Sequence, residues 1–395
     1  MNENNGTQLK ALVVDDDPVI VHLLTAFLEH QGHQVHSAAD GAEALARLEA
    51  ENDFRLVLTD RHMPGLDGLA LCRAIRARTW PSYMYCIMLT ATTEEDSLVA
   101  AMEAGVDDFV GKPLRLGELG ARLRAAQRVL ALEAGLAQRN RSLAEAYGLL
   151  SRELELARTL QLNQLPAPES FGRFGFDWLF EASSYVGGDT FDYFQLDAHH
   201  LCFYLADIAG HGIAAAMLAF NARHQIEAAT RLTAGRLLRH GSALGTAAVV
   251  ALDEYNRRFL ELREPSLYVT VAYGLLDTRT GRVAMVSAGH PPALLSPAPG
   301  EPWVEVGDGG MPVGILEQPD FEAHEFELAP GARLALYSDG ITELCDAVGQ
   351  TFGPARLRQA LAASASPAHL REQFAAFRGE VAAGDDVTLL MLEAR

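Results

Sequence analysis

The feature that most constrains the fold is a long stretch without proline, from about residue 115 to residue 165. It is rich in alanine, leucine, glutamate, arginine and glutamine, which all have high helix propensity. Because proline is the residue that most strongly ends or kinks a helix, we expect one long helix across this stretch. A helix of that length divides the 395-residue chain into a segment before it and a segment after it, and each segment is long enough for a domain.

Apolar residues recur every seven positions in this stretch, which is typical of a coiled coil. A second core position is less regular, because Arg139 and Glu153 interrupt it. The pattern fits a coiled-coil dimer, but a helix that packs on its own domains would also explain it. The first series is Val129, Leu136, Leu143, Leu150 and Ala157, and the second contains Leu132, Ala146 and Leu160.

The composition excludes several classes of protein. Apolar residues make up 49% of the chain, so a packed core can form, and a net charge of −20 argues against nonspecific binding to DNA or anionic membrane. No apolar run approaches the roughly 18 residues that cross a bilayer. The start MNENNGTQLK lacks the pattern of a signal peptide, and the four cysteines form no CxxC pair. We therefore expect a cytoplasmic protein with reduced thiols that binds neither nucleic acid nor membrane.

Short apolar runs alternate with amphipathic stretches over residues 8–125. Buried strands are indicated by LKALVVDDD, HQVHSAAD, FRLVLTD and YCIMLTA, and helices by PVIVHLLTAFLEHQG and DGAEALARLEA. This alternation predicts a parallel sheet covered by helices. Ligands of such folds bind at the carboxyl ends of the strands, and those ends carry Asp15, Asp16, Asp60 and Thr90.

These strand ends suggest metal and phosphate chemistry. Asp15, Asp16 and Asp60 would repel one another unless a cation lay among them, and Mg²⁺ prefers such oxygen ligands. Bound Mg²⁺ would let a carboxylate act as nucleophile on a phosphoryl group. Thr90 offers a hydroxyl and Lys112 a positive charge for the transferred phosphate. Each feature alone is weak evidence, because an acid at the end of a strand is more often a helix cap or a loop residue.

In order, the motifs VVDDDP, TDRHMPGLDG, MLTA and GKP resemble the receiver domain of bacterial response regulators, over residues 9–128. The resemblance implies a flavodoxin-like, doubly wound parallel fold. It also implies that a cognate sensor histidine kinase phosphorylates this domain. It also implies roles for individual residues. These are Asp60 as phosphoacceptor, Asp15, Asp16, Asp60 and the backbone carbonyl of His62 as Mg²⁺ ligands, and Thr90, Lys112 and Phe109 as switch residues.

The segment from residue 166 to residue 395 has a different pattern. It contains short apolar runs bounded by glycine, proline and aspartate, such as LCFYLADIAG, LYVTVAYGLLD and RLALYSDG. These predict strands of largely antiparallel sheets. Helical patterns at residues 211–230 and 242–262 indicate that helices flank the sheets.

Acidic residues in this segment stand where strands meet turns. Asp189 follows Gly187 and Gly188, Asp207 lies in LADIAGHG, and Asp339 lies in YSDGITE, while DDVTLLML opens with two more aspartates. Clustered, such acids could bind two divalent cations, which lower the pKa of a shared water and direct it at phosphorus. Because the candidate ligands are carboxylates, Mg²⁺ or Mn²⁺ is favoured over zinc.

The motifs EASSYVGGDTFDYF, ADIAGHGIAAAM, VSAGHPPALL, ALYSDGITE and DDVTLL together resemble the SpoIIE/RsbU-type branch of the PP2C-like metal-dependent serine/threonine phosphatases, over residues 160–392. The resemblance implies an α/β sandwich of antiparallel sheets flanked by helices, which hydrolyses phosphoserine or phosphothreonine with two Mn²⁺ or Mg²⁺ ions. The implied metal ligands are Asp189, Asp207, the backbone carbonyl of Ile208, Asp339 and Asp385. Asp386 stands next to Asp385, so the choice between the two stays open.

Two further interpretations concern single motifs. VGGDTF also resembles the GG[DE]EF loop of diguanylate cyclases, but Thr190 stands where that loop needs glutamate, and the cyclase interpretation leaves the downstream acids unexplained. His211 and His290 are candidates for acid catalysis, because a histidine could protonate the leaving oxygen. A histidine in a tight glycine turn often only packs or caps, so both roles stay open.

We therefore expect a response-regulator receiver domain over residues 1–125, a helical linker that forms a dimerising coiled coil over residues 126–165, and a PP2C-like phosphatase domain over residues 166–395. Phosphorylation of Asp60 would control the phosphatase through the linker helix, and the implied substrate is a phosphorylated anti-sigma-factor antagonist. The alternative is a phosphatase-like module that sequesters a signalling partner without catalysis. The absence of a basic recognition helix argues against a DNA-binding regulator.

Overall fold

The computed structural model describes residues 8–91, 95–210, 212–262, 267–307, 309–364 and 366–395, with only the backbone described for residues 95–98. The chain forms two compact units. The division between them falls between Gly148 and Leu149, inside a long helix. No helix of the described ranges combines the length and the apolar character that a bilayer crossing needs.

Strands alternate with helices in the first unit, as the sequence pattern predicts. In chain order its elements are β1 (Lys10–Val14), α1 (Pro18–His30), β2 (Gln34–Ala38), α2 (Gly41–Ala50), β3 (Leu56–Asp60), α3 (Gly68–Arg76), β4 (Tyr85–Thr90), α4 (Glu95–Glu103) and β5 (Asp108–Gly111).

These strands form a parallel sheet in the order β2-β1-β3-β4-β5. Both faces of the sheet are covered, which is why β3 and β4 are buried along their whole length. One face packs against α2 and α3, for example through Leu48 and Leu71. The other face packs against α1 and the start of the long helix. The prediction of a doubly wound parallel fold is confirmed.

The long helix α5 is continuous from Leu116 to Leu162. Its first turns bury one apolar stripe in the core of the first unit, at Leu119, Leu123, Ala126 and Leu130. Farther along, the apolar residues of the heptad pattern lie at the surface of the single chain, and Leu143 is 56% exposed. The prediction of one long helix is confirmed, whereas its pairing with a second helix stays a prediction.

The second unit contains the remaining elements and is dominated by antiparallel strands. They are β6 (Glu169–Phe171), β7 (Phe174–Glu181), β8 (Asp189–Gln195), β9 (His200–Ile208), α6 (Ile213–Leu232), α7 (Ala234–Arg239), α8 (Leu244–Leu260), β10 (Val269–Asp277), β11 (Arg282–Ala288), β12 (Ala293–Ser296), β13 (Val304–Val306), β14 (Ala323–Glu327), β15 (Arg333–Tyr337), α9 (Asp339–Glu343), α10 (Gly353–Ala363), α11 (Pro367–Arg378) and β16 (Val387–Ala394).

The strands of this unit form two sheets, in the orders β14-β11-β10-β9-β8 and β13-β12-β15-β16-β7-β6. Side chains of both sheets share one core, whereas α6 and α8 cover the outer face of the first sheet and α10 and α11 that of the second. Strand β9 shows why the layers form. Phe203 and Leu205 point to the core between the sheets, and Tyr204 and Ala206 point to the helices, as the twofold repeat of a strand requires. The predicted antiparallel sandwich with flanking helices is confirmed.

Candidate functional sites

The first candidate site lies at the carboxyl edge of the parallel sheet. Asp15 and Asp16 follow β1, Asp60 ends β3 and Thr90 ends β4. Because β1, β3 and β4 are neighbours in the sheet, these strand ends lie side by side. Asp15, Asp60 and Thr90 are buried, and Asp16 is exposed.

Lys112 joins the acids of this site. Its ammonium lies 3.2 Å from Oδ2 of Asp15 and forms an ion pair with Asp60, and its backbone N–H donates to the carbonyl of Thr90 at 2.8 Å. Burial raises the pKa of Asp15, against the opposing effect of the hydrogen bonds from Asp17 and Lys112. Burial lowers the pKa of Lys112, but its hydrogen bonds to Asp60 and Asp15 raise that pKa above the ordinary value.

The loop after β3 is held against Asp60. The backbone N–H of His62 donates to Oδ2 of Asp60 at 2.9 Å, so the carboxylate organises the loop whose carbonyl is a candidate ligand. A Cβ on Gly68 would lie 2.1 Å from the carbonyl oxygen of Asp60, so only glycine allows α3 to begin so close to it. Phe109 is half-buried on β5, and its ring faces the guanidinium of Arg122 at 5.9 Å. The carboxylate oxygens at this edge suit a hard divalent cation.

The second candidate site begins with two aspartates on neighbouring strands. Asp189 starts β8, and Asp207 lies near the end of β9, directly opposite it in the antiparallel register. The alternation of each strand puts both residues on the face toward the second sheet, in line with Phe191 on β8 and Leu205 on β9. Directly opposite side chains of an antiparallel pair lie about 5 Å apart at Cβ. Two carboxylates are thus adjacent at the end of the core between the sheets.

The second sheet contributes the other acids. Asp339 follows β15 after one intervening residue, Ser338. Asp385 and Asp386 directly precede β16. These two strands are antiparallel neighbours, with Tyr337 opposite Leu389, so the acids belong to one end of the sheet.

The acids of the two sheets act on one another electrostatically. Burial raises the pKa of Asp207 to about 7, and the charges of Asp339, Asp385 and Asp386 contribute to this shift. Burial and the charges of Asp207 and Asp386 raise the pKa of Asp189 well above its ordinary value. Burial, followed by the charge of Asp385, also raises the pKa of Asp339. The cluster is thus a set of carboxylates whose charges oppose one another and whose burial ranges from the buried Asp189 to the exposed Asp385.

Asp386 and Asp385 have different environments. Asp386 is buried, and its Oδ1 accepts from the backbone N–H of Ser183 at 2.8 Å and from its hydroxyl at 3.1 Å. Its Oδ2 accepts from the backbone N–H groups of Gly188, at 2.5 Å, and Asp189, at 3.3 Å. Asp385 is exposed, and its Oδ1 accepts from the backbone N–H of Asp386 at 2.8 Å. Both oxygens of Asp386 thus accept hydrogen bonds that hold the loop before Asp189. This leaves the carboxylate of Asp385 as the more available metal ligand.

The glycines of VGGD are explained by close approach. Neither Gly187 nor Gly188 has a positive φ, so the need for glycine at these two positions does not come from a left-handed backbone. A Cβ on Gly187 would lie 2.4 Å from Oδ2 of Asp386, and a Cβ on Gly188 would lie 3.1 Å from the carbonyl oxygen of Ile208. The glycines therefore admit the Asp386 carboxylate on one side and the Ile208 carbonyl, a candidate ligand, on the other.

The two candidate histidines differ in what the structure describes. His211 lies outside the described residues. The ring of His290 is buried, and its Nδ1 lies 2.9 Å from the hydroxyl of Thr270, which stands opposite Asp207 in the register of β9 and β10. Burial lowers the pKa of His290 to about 3, so this histidine is neutral at ordinary pH. Its role in acid catalysis stays a prediction.

Three residues that the sequence analysis did not single out contribute to the second site. Thr388 donates its hydroxyl to Oδ2 of Asp189. The hydroxyl of Ser338 donates to the carbonyl of Asp386 and accepts from the backbone N–H of Thr388, both at 3.0 Å. Burial raises the pKa of Glu343, and the charges of Asp339 and Asp385 add to this shift. All three lie in or beside the motifs SDGITE and DDVTLL, but nothing in the pattern of those motifs distinguishes them from spacer residues.

The donor chemistry of the second site fits hard divalent cations. Within the part of the chain that the structure describes, no three His, Cys, Asp or Glu side chains already stand at metal-ligand spacing. The carboxylates nevertheless repel one another and so raise one another's pKa, and a cation among them would offset that repulsion. Oxygen donors alone favour Mg²⁺ or Mn²⁺.

Comparison with protein families agrees with both halves of this description. Residues 197–395 match the family model described as Stage II sporulation protein E (SpoIIE), and residues 11–124 match the model of the response regulator receiver domain. The phosphoserine phosphatase RsbP of Bacillus subtilis is 30% identical over 196 residues, which are 49% of this chain and 45% of that protein. The transcriptional regulatory protein ResD of the same species is 42% identical over 126 residues, which are 32% of this chain and 50% of that protein.

The solved SiaA-PP2C domain of Pseudomonas aeruginosa shares the fold of the second unit. It is 22% identical, with a TM-score of 0.54, and the match covers 63% of this chain and 99% of the solved chain. The present chain spans about half the length of the curated relatives it matches. The SpoIIE model covers half of the chain. The protein thus belongs to the SpoIIE family and carries a response regulator receiver domain before its PP2C-like domain.

Proposed function

We propose that this protein is a response regulator whose output is metal-dependent hydrolysis of phosphoserine or phosphothreonine on a protein. The observation that carries the proposal is the opposed pair of Asp189 and Asp207, together with the charges of Asp339 and Asp385 of the second sheet, which act on Asp207. The charges that most strongly shift the pKa of Asp189 and of Asp207 are those of other carboxylates. Acids clustered in this way are expected to hold cations, because those that are buried or half-buried are otherwise costly to keep charged.

Each residue of the site has a distinct part in the proposal. Asp189 and Asp207 would hold two Mn²⁺ or Mg²⁺ ions, together with the carbonyl of Ile208, Asp339 and Asp385. When bound, such ions lower the pKa of a water molecule and offset charge on the phosphoryl group. Asp386 holds the backbone of the loop before Asp189 and thereby orients that ligand. Of the two histidines, His290 would influence the site through its hydrogen bond with Thr270.

The receiver domain is proposed to supply the input. A cognate sensor histidine kinase phosphorylates Asp60, while Asp15, Asp16 and the carbonyl of His62 join it in holding Mg²⁺. Lys112 already contacts Asp60 and would contact the phosphoryl group, and Thr90 and Phe109 would respond to it. The long helix runs from this domain into the second unit and is the proposed path of the signal.

The substrate and the assembly are proposed from the relatives and from the helix. A curated relative of this chain carries the name phosphoserine phosphatase, which supports a phosphorylated protein as substrate. We favour an anti-sigma-factor antagonist in a partner-switching pathway. The exposed heptad residues of α5 support a homodimer through the linker. We place the receiver domain at residues 1–125, the linker at 126–165 and the phosphatase domain at 166–395, in a cytoplasmic protein.

The decisive experiment measures phosphate release from an aryl phosphate with and without Mn²⁺, for the full chain and for Asp207→Asn. Beryllofluoride, which mimics the phosphorylated receiver, is the third variable, and Asp60→Asn is its control. We expect hydrolysis that needs Mn²⁺, fails in Asp207→Asn, and responds to beryllofluoride only while Asp60 is present. Hydrolysis that Asp207→Asn retains would contradict the assigned site.

A non-catalytic module that sequesters a phosphorylated partner is the second candidate. In that case the wild-type chain would bind its partner without Mn²⁺ and release no phosphate, and Asp207→Asn would bind equally well. Turnover on a phosphorylated antagonist protein separates the two candidates.

A further inference from the structure

The end of the long helix is hydrogen-bonded to the loop that carries Asp189. The side-chain Nε2 of Gln161 donates to the carbonyl of Gly187 at 2.8 Å, and its Oε1 accepts from the backbone N–H of Gly187 at 3.1 Å. One carboxamide thus satisfies both polar groups of a buried residue that lies two positions before Asp189. From this geometry we propose that Gln161 is a positioning residue, which holds the VGGD loop so that Asp189 can bind a divalent cation.

Gln161 acts from a helix end that is itself fixed. The indole N–H of Trp178 donates to the carbonyl of Pro166 at 2.7 Å, and the hydroxyl of Tyr193 donates to the carbonyl of Ala167 at 2.6 Å. The chain directly after α5 is therefore anchored to strands β7 and β8. Because Gln161 lies on the last turn before this anchor, its side chain can hold the loop at a defined position.

Apolar packing does not duplicate this contact. A cavity of about 230 Å³ lies between the last turns of α5, strand β8 and helix α6. Leu160 of α5 and Met217 of α6 both line it and are more than half exposed. Since close packing is lacking on this side, the paired hydrogen bonds of Gln161 carry more of the restraint on the loop.

The loop is held from its other side by Asp386, which accepts from the N–H groups of Gly188 and Asp189. Gly187 is therefore fixed by the helix and Gly188 by the second sheet. Loss of the Gln161 bonds would leave a buried N–H and a buried carbonyl without partners. The loop would then shift toward water, and Asp189 would lose its alignment with Asp207.

The inference rests on the proposed function, because it assumes that Asp189 is a metal ligand. Its test compares wild-type chain with Gln161→Met, which keeps the length and most of the volume of the side chain but has no hydrogen-bonding carboxamide. Gln164→Ala is the matched control, since Gln164 lines the same cavity but makes no hydrogen bond to the loop in the described structure. Mn²⁺ binding is measured by calorimetry and hydrolysis by phosphate release, with thermal unfolding as the check on folding.

We expect Gln161→Met to weaken Mn²⁺ binding about tenfold, as one lost pair of buried hydrogen bonds implies, while the control binds like wild type. Turnover at saturating Mn²⁺ would recover most of the wild-type rate, which separates a positioning residue from a residue of the chemistry. Unchanged Mn²⁺ affinity in Gln161→Met would overturn the inference, as would a loss of affinity only in proportion to unfolded protein. If Gln161→Met binds Mn²⁺ weakly but wild type hydrolyses nothing, the inference stands and the proposed function fails. If the wild-type chain releases phosphate and Gln161→Met matches it in Mn²⁺ affinity, the proposed function stands and the inference fails.

Discussion

The carboxylate of Asp386 accepts a 2.5 Å hydrogen bond from the backbone N–H of Gly188, a residue 198 positions earlier in the chain. The bond joins the loop before β16, in the second sheet, to the loop before β8, in the first sheet. It therefore determines where Asp189 lies relative to Asp339 and Asp385.

Asp386 and Asp385 should respond differently to substitution by asparagine. In Asp386→Asn, an amide NH₂ replaces one oxygen and faces backbone N–H donors, so the free energy of unfolding should fall by about 1–3 kcal/mol. Asp385→Asn removes a charge at an exposed position, so stability should stay within about 0.5 kcal/mol of wild type, while Mn²⁺-dependent hydrolysis is lost. Urea unfolding and phosphate release on both variants check this. The reverse pattern would identify Asp386 as the ligand.

Gly187→Ala should disrupt the same contact sterically. The new methyl group would lie 2.4 Å from Oδ2 of Asp386, so the loop or the carboxylate must move, at a cost of roughly 1–3 kcal/mol. Mn²⁺ affinity should fall with stability, because Asp189 moves with the loop. Gly135→Ala is the control, since a Cβ at that helical position meets nothing within 4 Å, and it should be neutral or slightly stabilising. Equal effects of the two substitutions would contradict the close-approach explanation.

The metal-free protein should lose stability as the pH rises through the titration of Asp207. Its pKa is raised to about 7 in the folded chain, whereas an unfolded aspartate titrates near about 3.9. Between these values the folded state holds a proton that the unfolded state has released, so the free energy of unfolding decreases with increasing pH. Asp207→Asn lacks this titration.

The measurement is urea unfolding in chelator at about pH 5 and about pH 8. Relative to wild type, Asp207→Asn should gain about 1–3 kcal/mol of stability over that interval. Saturating Mn²⁺ should remove the difference in wild-type stability between the two pH values, because a bound cation lowers the pKa of the carboxyl. Parallel pH curves for the two metal-free proteins would show that Asp207 does not titrate in this range.

Lys112 should stabilise the receiver site more than a lysine whose acidic partners are exposed stabilises its surroundings. It contacts the buried Asp15 and Asp60, so Lys112→Met leaves two carboxylates without their cation and should cost roughly 1–3 kcal/mol. Lys10 is the matched control, since it also bridges two acids, but Glu51 and Asp53 are exposed. Lys10→Met should cost less than about 1 kcal/mol.

Thermal unfolding of the receiver unit measures the stability of both lysine variants. Added Mg²⁺ should restore part of the stability that Lys112→Met loses, because a divalent cation can replace the missing charge. A larger loss in Lys10→Met than in Lys112→Met would contradict the assignment of Lys112 to the acid cluster.

The heptad residues of α5 should determine the oligomeric state. Leu136 and Leu143 are 55% and 56% exposed in the single chain and occupy the same heptad position. The double substitution Leu136→Glu with Leu143→Glu should convert a dimer to a monomer in light scattering, since like charges would face each other in the seam. Ala134→Glu, on the outer side of the heptad, should leave the dimer intact. A monomeric wild type would refute the coiled coil.

Sequence pattern alone predicted the architecture because that information is local. The proline-free, helix-favouring stretch predicts α5, and the alternation of buried strands and amphipathic helices predicts the parallel sheet. Short runs between glycines and aspartates predict largely antiparallel sheets, and the resemblance to the phosphatases implies their arrangement as a sandwich. It also identified Asp189, Asp207, Asp339 and the adjacent pair of Asp385 and Asp386 as candidates, since each lies where an apolar run meets a turn. Local periodicity determines burial, and burial determines which elements form.

Only the tertiary structure decided how distant residues cooperate. The sequence left Asp385 and Asp386 equivalent, whereas packing of the two sheets buries Asp386 against Gly188 and leaves Asp385 exposed. Likewise, the glycines of VGGD are needed for close approach to Asp386 and Ile208, and Gln161 is joined to Gly187 only because the helix ends beside that loop. Hydrogen bonds between residues far apart in the chain depend on how sheets and helices dock, and no short-range pattern of residue types encodes that docking.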